Sequence, residues 1–381
     1  MAACWANAPT HRPSMLAAVL AHLKPQLDAS SYAASVLSGT VSNVACTAWR
    51  LDLARGMNRS MSFTFPSVER VRRVTIVGAG SVGRSWAALY LAHGYDVVVF
   101  DPAPECAQAT RDFIVNAWPA LRQLHASIDP SPPWPRLTFA PSIALAMADT
   151  DVIQENAPEN VELKRQLITE IDQATPGNRV ILSSSGGIGP SALQADCRFP
   201  ERVVVAHPFN PPHLIPLVEI VGGSRTAPAA ARWAGDFMRQ LGKRPIVLLR
   251  EVSGHLANRL QAALMREAFH CLVNEVASAQ DIDDAMRYGL GLRWALMGPL
   301  MTFHLAGGAG GAQHTLDLAG EAYESWWADL GTIHLTADVR ARIVDATADI
   351  AAGRSIADWI IWRDEHLVAL LHQSGATECR V

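Results

Sequence analysis

The sequence has little charge for its length, few cysteines and no long apolar run. Charged residues make up 18% of its 381 residues, and the formal net charge is -4. A weakly acidic chain offers no electrostatic reason to bind nucleic acid or an anionic membrane. No uninterrupted apolar stretch approaches the roughly 20 residues needed to span a bilayer. We therefore expect a soluble protein that acts on a small molecule, with no nucleic acid or membrane partner.

The cysteines exclude two further classes of protein. They contain no CxxC pair, and no histidines stand near them at the spacing of metal ligands. The sequence therefore predicts neither a disulfide framework nor a metal site. This pattern is typical of a reducing compartment, and we expect a cytoplasmic location. The six are Cys4, Cys46, Cys106, Cys197, Cys271 and Cys379.

The first part of the chain, residues 1–67, is also short of acidic groups. Asp28 and Asp52 are the only acids among its first sixty residues, as in a transit peptide, but no charged segment followed by an apolar core marks a secretory signal. Two readings stay open: a poorly ordered or weakly helical extension, and an over-long start with Met57 or Met61 as the true beginning. We expect the fold to begin near Val68.

From this point the chain alternates between strand and helix patterns. Apolar runs that end in VTIVGAG, VVVFDP, VIQEN, VILSSS, VVVAHP and PIVLL are separated by helical stretches such as ENVELKRQLITEIDQ. After Val252 only helical patterns remain. The alternation predicts an α/β fold with a doubly wound parallel sheet over residues 68–250, followed by an all-helical domain over residues 251–381.

A glycine motif identifies the first domain as a nucleotide-binding one. Gly78, Gly80 and Gly83 form G-x-G-x-x-G directly after a strand and at the start of a helix. The first glycine makes a tight turn, the second lets the backbone approach a pyrophosphate, and the third allows close helix packing. The backbone amides of Ser81 and Val82 would bind the pyrophosphate at the helix N-terminus. We therefore expect a Rossmann-type sheet.

Asp101 closes the second strand and favours NAD as the cofactor. A carboxylate at this distance from the glycines can accept hydrogen bonds from the ribose hydroxyls, and it would repel the 2'-phosphate of NADP. FAD uses the same glycine motif. An alternative role for Asp101 is to cap the segment that starts at Pro102.

The segment VVVAHPFNPPHLIPLVEIV supplies a candidate acid–base pair. His207 and Glu219 stand at the two ends of a proline-rich loop between two strands. Oxidation of an alcohol requires a base for the hydroxyl proton, and a carboxylate on the other ring nitrogen would orient a histidine for that role.

These motifs resemble the L-3-hydroxyacyl-CoA dehydrogenase family. HPFNPP followed by LVE, then SGHLANRLQ and the GPL segment after Gly298, match the family pattern over roughly residues 70 to 310. The resemblance implies that His207 is the base, that Glu219 is its partner, and that Asn258 donates a hydrogen bond to the substrate oxygen or the histidine network. A structural alternative for Asn258 is a helix N-terminal cap.

The resemblance also assigns residues around the nicotinamide and the substrate. Glu159 and Lys164 are implied to lie near both, although the two could equally be an ordinary solvated helix start. The family's active-site serine falls on Gly186, so Ser185 or Ser184 would have to supply the hydroxyl.

The segment GLGLRWALMGPLMTFHLAGG resembles the branch of the family that acts on free hydroxy acids, with L-carnitine and L-gulonate among its substrates. Arg293 could hold a free carboxylate, with Trp294 beside it, or it could be a surface ion-pair residue. The AAGRSI and RDEHLVA pieces favour L-carnitine, oxidised to 3-dehydrocarnitine. L-gulonate, 3-hydroxybutyryl-CoA and an NAD-binding structural protein without turnover remain alternatives. The resemblance also implies a homodimer.

Overall fold

The computed structural model describes residues 64–125 and 127–373. Most of the predicted extension, residues 1–63, lies outside the described residues. The strands of the sheet are β1 Arg73–Val77, β2 Asp96–Phe100, β3 Leu137–Phe139, β4 Val152–Glu155, β5 Val180–Ser183, β6 Val203–Pro208, β7 Leu217–Gly222 and β8 Arg244–Val247. Helices on this part of the chain are α1 Ser81–Ala92, α2 Cys106–Leu124, α3 Ile143–Ala146, α4 Val161–Ala174, α5 Pro190–Leu193 and α6 Pro228–Gln240. Single 3-10 turns cover Val68–Arg70, Trp134–Arg136 and Pro200–Arg202.

The strands form one sheet in the order β3-β2-β1-β4-β5-β6-β7-β8. All neighbours are parallel except β6 and β7, which are antiparallel. The chain runs outward from β1 on both sides, so a crevice opens where β1 and β4 end, which is where doubly wound sheets bind nucleotides. The predicted Rossmann-type α/β fold is confirmed. The short strand β3 was missed because its three residues carry too little apolar pattern to detect.

Two apolar clusters cover the two faces of the sheet. On one face Trp86, Tyr90 and Phe237 stack on one another, with ring centroids 5.6 to 6.0 Å apart. On the other face Ile168 and Ile171 of α4 pack against the strands. Because both faces are covered, the central strands β4, β5 and β6 are buried throughout rather than alternating between buried and exposed residues.

The remaining helices follow the last strand. They are α7 Ala257–Val273, α8 Ala279–Ala285, α9 Gly291–Ala306, α10 Gly311–Asp329, α11 Ala337–Ala351 and α12 Ile356–Gln373, with a π-helical turn at Met286–Leu290 and a 3-10 turn at Gly308–Gly310. Gly298 has a φ of 73° and kinks α9 just before Pro299. The last helix, α12, packs against α2 of the nucleotide-binding part and buries Val368 and Leu371. In the described part of the chain, no helix is long and apolar enough to cross a membrane.

Candidate active site

The antiparallel pairing of β6 with β7 places His207 directly opposite Glu219. The Nδ1 atom of His207 lies 2.8 Å from the Oε2 atom of Glu219. A carboxylate can only accept, so the proton of the neutral imidazole sits on Nδ1 and the lone pair on Nε2. His207 is thereby prepared to take a proton from a substrate at Nε2.

The second oxygen of Glu219 accepts hydrogen bonds from the start of helix α7. The backbone N–H groups of Leu256 and Ala257 both donate to Oε1, at 2.9 Å each. Burial acts to raise the pKa of Glu219, but the hydrogen bonds from His207, Ala257 and Leu256 outweigh it and hold that pKa below its ordinary value. Glu219 is fully buried and stays ionised at neutral pH. The pair can therefore stabilise an imidazolium on His207.

Asn258 and His207 both lie close to Gly186. Helix α7 begins at Ala257, so Asn258 lies in its first turn rather than at the cap, and its Nδ2 atom donates to the carbonyl of Gly186 at 2.8 Å. A Cβ atom on Gly186 would lie 3.0 Å from Nε2 of His207 and 3.2 Å from Nδ2 of Asn258. Gly186 thus borders the two nitrogen atoms that could hold a substrate hydroxyl.

The two serines before Gly186 have their hydroxyls engaged with other groups. Ser185 is buried and donates to Glu159 at 2.7 Å. The Ser184 hydroxyl donates to Asn156 at 2.7 Å. Ser184 and Ser185 therefore both use their hydroxyls in bonds to these neighbours, and position 186 presents no side chain to His207.

Glu159 and Lys164 are joined to a buried carboxylate at the end of β4. Lys164 is 1% exposed, and its Nζ atom lies 3.0 Å from Oε1 of Glu155 and 3.8 Å from Oε2 of Glu159. Glu159 also accepts from the backbone of Gly187 and Ile188. Burial would raise the pKa of Glu159, but the hydrogen bonds of Ser185, Gly187 and Ile188 and the charge of Lys164 lower it. The two residues form a fixed network rather than a solvated helix start.

The residues of the glycine motif fit a dinucleotide. Gly78 has a φ of 89°, and a Cβ there would lie 2.8 Å from the backbone of Asn156, so the turn can approach β4 only without a side chain. A Cβ on Gly83 would lie 2.0 Å from the Gly78 carbonyl, whereas the space around Gly80 is open. Gly80 precedes α1, whose first N–H groups, those of Ser81 and Val82, lack partners within the helix and are free for phosphate oxygens.

Asp101 lies at the end of β2, beside this motif. Its Oδ2 atom accepts from the N–H of Ala79 at 2.6 Å, and its Oδ1 atom accepts from the N–H of Ala103 at 2.9 Å. The residue therefore links the glycine turn to the segment after Pro102. It also presents a carboxylate next to the turn, where the ribose would bind.

Arg293 and Trp294 lie on α9 in the helical part of the chain, and both are exposed. Among the described residues, none of the hydrogen bonds around His207, Glu219 and Asn258 involves either of them. The structure thus brings His207, Glu219 and Asn258 together, and no hydrogen bond between described residues connects Arg293 or Trp294 to them. No group of three or more metal-ligating side chains occurs in the described part of the chain.

Two polar residues near the site were missed from the sequence. Glu155 is fully buried where β4 ends, and His255 is fully buried just before α7, its ring centroid 5.6 Å from that of His207. The available signals were a carboxylate that closes an apolar strand in VIQEN and a histidine that directly precedes the LANR motif. Ionisable residues are seldom fully buried unless they are paired, so a buried one beside a candidate site is itself a candidate for a functional role.

Comparison with known proteins agrees with this geometry. The sequence model of the 3-hydroxyacyl-CoA dehydrogenase NAD binding domain matches residues 73–252, and that of the C-terminal domain matches residues 254–331. The L-carnitine dehydrogenase of Streptomyces griseus is 47% identical over 307 residues, which cover 81% of this chain and 91% of that relative. The L-carnitine dehydrogenase of Nocardiopsis dassonvillei is 47% identical over 302 residues, which cover 79% of this chain and 91% of that relative.

Solved structures show the same architecture. The NAD+-dependent 5-formyl-3-hydroxy-2-methylpyridine 4-carboxylic acid 5-dehydrogenase superposes with a TM-score of 0.68 at 28% identity, covering 82% of this chain and all of that one. The (S)-3-hydroxybutyryl-CoA dehydrogenase of Ralstonia eutropha gives a TM-score of 0.53 at 27% identity, covering 67% and 88%. The predictions of NAD as cofactor and of a dehydrogenase are confirmed, and the chain belongs to the 3-hydroxyacyl-CoA dehydrogenase family.

Proposed function

We propose that this protein oxidises the 3-hydroxyl of L-carnitine to 3-dehydrocarnitine, with NAD as the hydride acceptor. The observation that carries the chemistry is the pair His207–Glu219, whose Nδ1–Oε2 bond of 2.8 Å leaves Nε2 of His207 available next to Asn258. The choice of carnitine is supported by relatives at 41 to 47% identity that are L-carnitine dehydrogenases.

The protein's own residues would divide the work as follows. His207 takes the hydroxyl proton at Nε2 as C3 loses its hydride, and Glu219 stabilises the imidazolium that forms. The second N–H of the Asn258 amide donates to the substrate oxygen, while its first remains on the Gly186 carbonyl. NAD supplies the acceptor for the hydride when it is bound.

The test is NADH formation by the purified protein offered L-carnitine, L-gulonate and L-3-hydroxybutyryl-CoA in parallel, with NADP as control cofactor. Selective oxidation of carnitine with NAD is the expected result. A preference for gulonate or the thioester would keep His207 as base and overturn the assignment of carnitine as the substrate. No activity on any of the three would favour a binding protein without turnover.

The variant His207→Ala tests the proposed base. It should abolish turnover and keep NADH binding, and the exposed His314→Ala is the matched control.

Arg293 is the proposed partner of the substrate carboxylate. Its guanidinium is exposed and can pair with a carboxylate through two parallel hydrogen bonds. Arg293→Met should then raise KM for carnitine with little change in kcat. An unchanged KM would remove Arg293 from substrate binding.

We propose that the protein forms a homodimer through its helical part. Helices α7, α8, α9 and α11 bury none of their residues within one chain, and large apolar side chains lie exposed on them, Leu300 at 85% and Leu296 at 76%. Exposed apolar surface of this extent is typical of an interface. Leu300→Glu should yield monomers by light scattering after gel filtration, whereas the equally exposed Leu249→Glu, just after β8, should leave the dimer intact.

We further propose a nucleotide-binding domain over residues 68–250, a helical substrate and dimerisation domain over residues 251–381, and a cytoplasmic location. The last is supported by the free thiols of Cys106, Cys197 and Cys271. Tandem mass spectrometry of the protein isolated from its cell, under alkylation without prior reduction, should find all three unpaired.

A further inference from the structure

Two consecutive glycines form the wall of the site beside His207. Gly186 and Gly187 follow β5 and carry no side chain that could hold them in place. Adjacent glycines have the largest backbone freedom of any pair, so an ordered wall here requires bonds from outside.

Glu159 binds the N–H of Gly187, and the carbonyl groups are bound by one short segment, Gly254 to Asn258, which we call the clasp. The carbonyls of Ser185 and of the two wall glycines each accept one hydrogen bond from it. Ser185 O accepts from His255 at 3.1 Å, Gly186 O from Asn258 at 2.8 Å, and Gly187 O from the N–H of Gly254 at 3.4 Å. The N–H groups of the clasp residues Leu256 and Ala257 bind Glu219 at the same time. The clasp therefore sets the position of the wall relative to the catalytic pair.

His255 is the unusual member of the clasp. It is fully buried, has a φ of 50° and so lies in the left-handed region that a residue with a side chain rarely adopts. A carbonyl only accepts, so Nε2 of His255 must carry the proton and Nδ1 is left as a bare acceptor, which is buried and has no hydrogen-bond partner among the described residues. An apolar ring would remove the unpaired nitrogen but would still have to adopt the left-handed backbone, so the bond to Ser185 is what the imidazole contributes at this position.

We propose that His255 is a positioning residue that holds the Gly186 backbone against His207 where a side chain at position 186 is lacking. The inference rests on the proposed dehydrogenase function of this site. With the wall fixed, the Gly186 carbonyl orients the Asn258 amide, and the gap between Asn258 Nδ2 and His207 Nε2 keeps the width that a substrate hydroxyl needs. Loss of the bond would misorient the reacting groups rather than weaken the binding of either ligand.

The first test compares two replacements of His255. His255→Phe keeps the ring volume and removes the donor, so we expect kcat to fall by roughly 100-fold, with KM and the NADH dissociation constant within threefold of the original values. His255→Gln restores an N–H at similar reach and should recover at least a tenth of the original kcat. The matched control is the exposed His314→Phe, which should leave kcat unchanged.

A kcat for His255→Phe within threefold of the original would overturn the proposal. So would a His255→Gln variant that binds NADH normally and is as slow as His255→Phe. Because the phenylalanine variant could fail to fold, NADH binding is measured first and the glutamine variant then carries the comparison.

A second readout does not depend on the substrate. In the uniformly nitrogen-labelled protein, the imidazole nitrogen signals of His255 should show a proton on Nε2 and none on Nδ1, and the Asn258 side-chain amide signals should shift in His255→Gln. A proton on Nδ1 would overturn the role of His255. If the original protein oxidises no hydroxy acid, the proposed function fails while these signals still decide the inference.

Discussion

The replacement Glu219→Gln tests the geometry of the catalytic pair in detail. The Glu219 carboxylate accepts from three donors, the Nδ1 of His207 and the N–H groups of Leu256 and Ala257. An amide has only one oxygen, so it cannot satisfy all three. If the amide oxygen stays on the two backbone donors, the amide N–H2 group faces Nδ1 of His207. The imidazole must then move its proton to Nε2, where the substrate proton should go.

The size of the effect follows from this tautomer change. Keeping the two backbone bonds is the better of the two orientations, because the amide N–H2 group then donates to Nδ1 of His207, whereas the flipped amide would turn that group towards the two backbone N–H donors. Loss of a general base lowers the rate by about 10²- to 10⁴-fold, which corresponds to about 3 to 5 kcal/mol. The unfolding free energy should fall by about 1 to 3 kcal/mol, since hydrogen bonds to a charged carboxylate are replaced by weaker bonds to a neutral amide.

The assay is steady-state NADH formation on the oxidisable substrate, together with NADH binding and urea unfolding. For Glu219→Gln we expect kcat to fall by about 10²- to 10⁴-fold while the NADH affinity stays within threefold of the original value. The exposed Glu170→Gln is the control and should change neither of these quantities nor the unfolding free energy. If Glu219→Gln retained more than a tenth of the original kcat, the assignment of the proton to Nδ1 of His207 would be refuted.

Three further predictions address the cofactor, pH and stability. Asp101→Ser should raise the KM for NAD and lower the preference for NAD over NADP, measured as a ratio of kcat/KM; an unchanged ratio would contradict the ribose role. Burial lowers the pKa of Lys243 to about 7 from 10.5, so protons favour the unfolded state between these values. Stability should rise with pH there by up to about 1.4 kcal/mol per unit, and urea titrations of Lys243→Met should lack that rise. The Asp172–Arg202 pair is 2.7 Å apart and fully buried, so Asp172→Asn should cost about 3 to 5 kcal/mol of unfolding free energy, and a cost below 1 kcal/mol would contradict its burial.

Much of the site could be read from the chain because its parts are local. The glycine motif predicts a nucleotide turn, since three glycines at fixed spacing after an apolar strand serve one backbone geometry. His207 could be predicted as a candidate because it lies near the end of a buried strand, next to a proline-rich loop. Lys164 was harder to place, because the sequence APENVELK is compatible both with an exposed helix start and with a buried ion pair.

The role of Ser185 shows where sequence reasoning stops. Ser184 and Ser185 directly precede Gly186, and spacing alone allowed either to supply a hydroxyl. The direction of each hydroxyl depends on Asn156 and Glu159, which belong to a neighbouring strand end and loop. No sequence pattern connects these partners, because the sheet register determines which residues meet.

The sequence by itself determined the sheet and helix alternation and the nucleotide turn, because both depend on short-range backbone preference and apolar periodicity. It also pointed to the acid–base pair, through the chemistry of His207 and Glu219 and the resemblance of their motif to the family. Only the tertiary structure decided that β7 runs antiparallel to β6 and so places Glu219 on His207, and that the clasp before α7 binds both the glycine wall and the carboxylate. These contacts join residues between 12 and 72 positions apart. They form because the packed sheet brings the strand ends and the start of α7 to one edge.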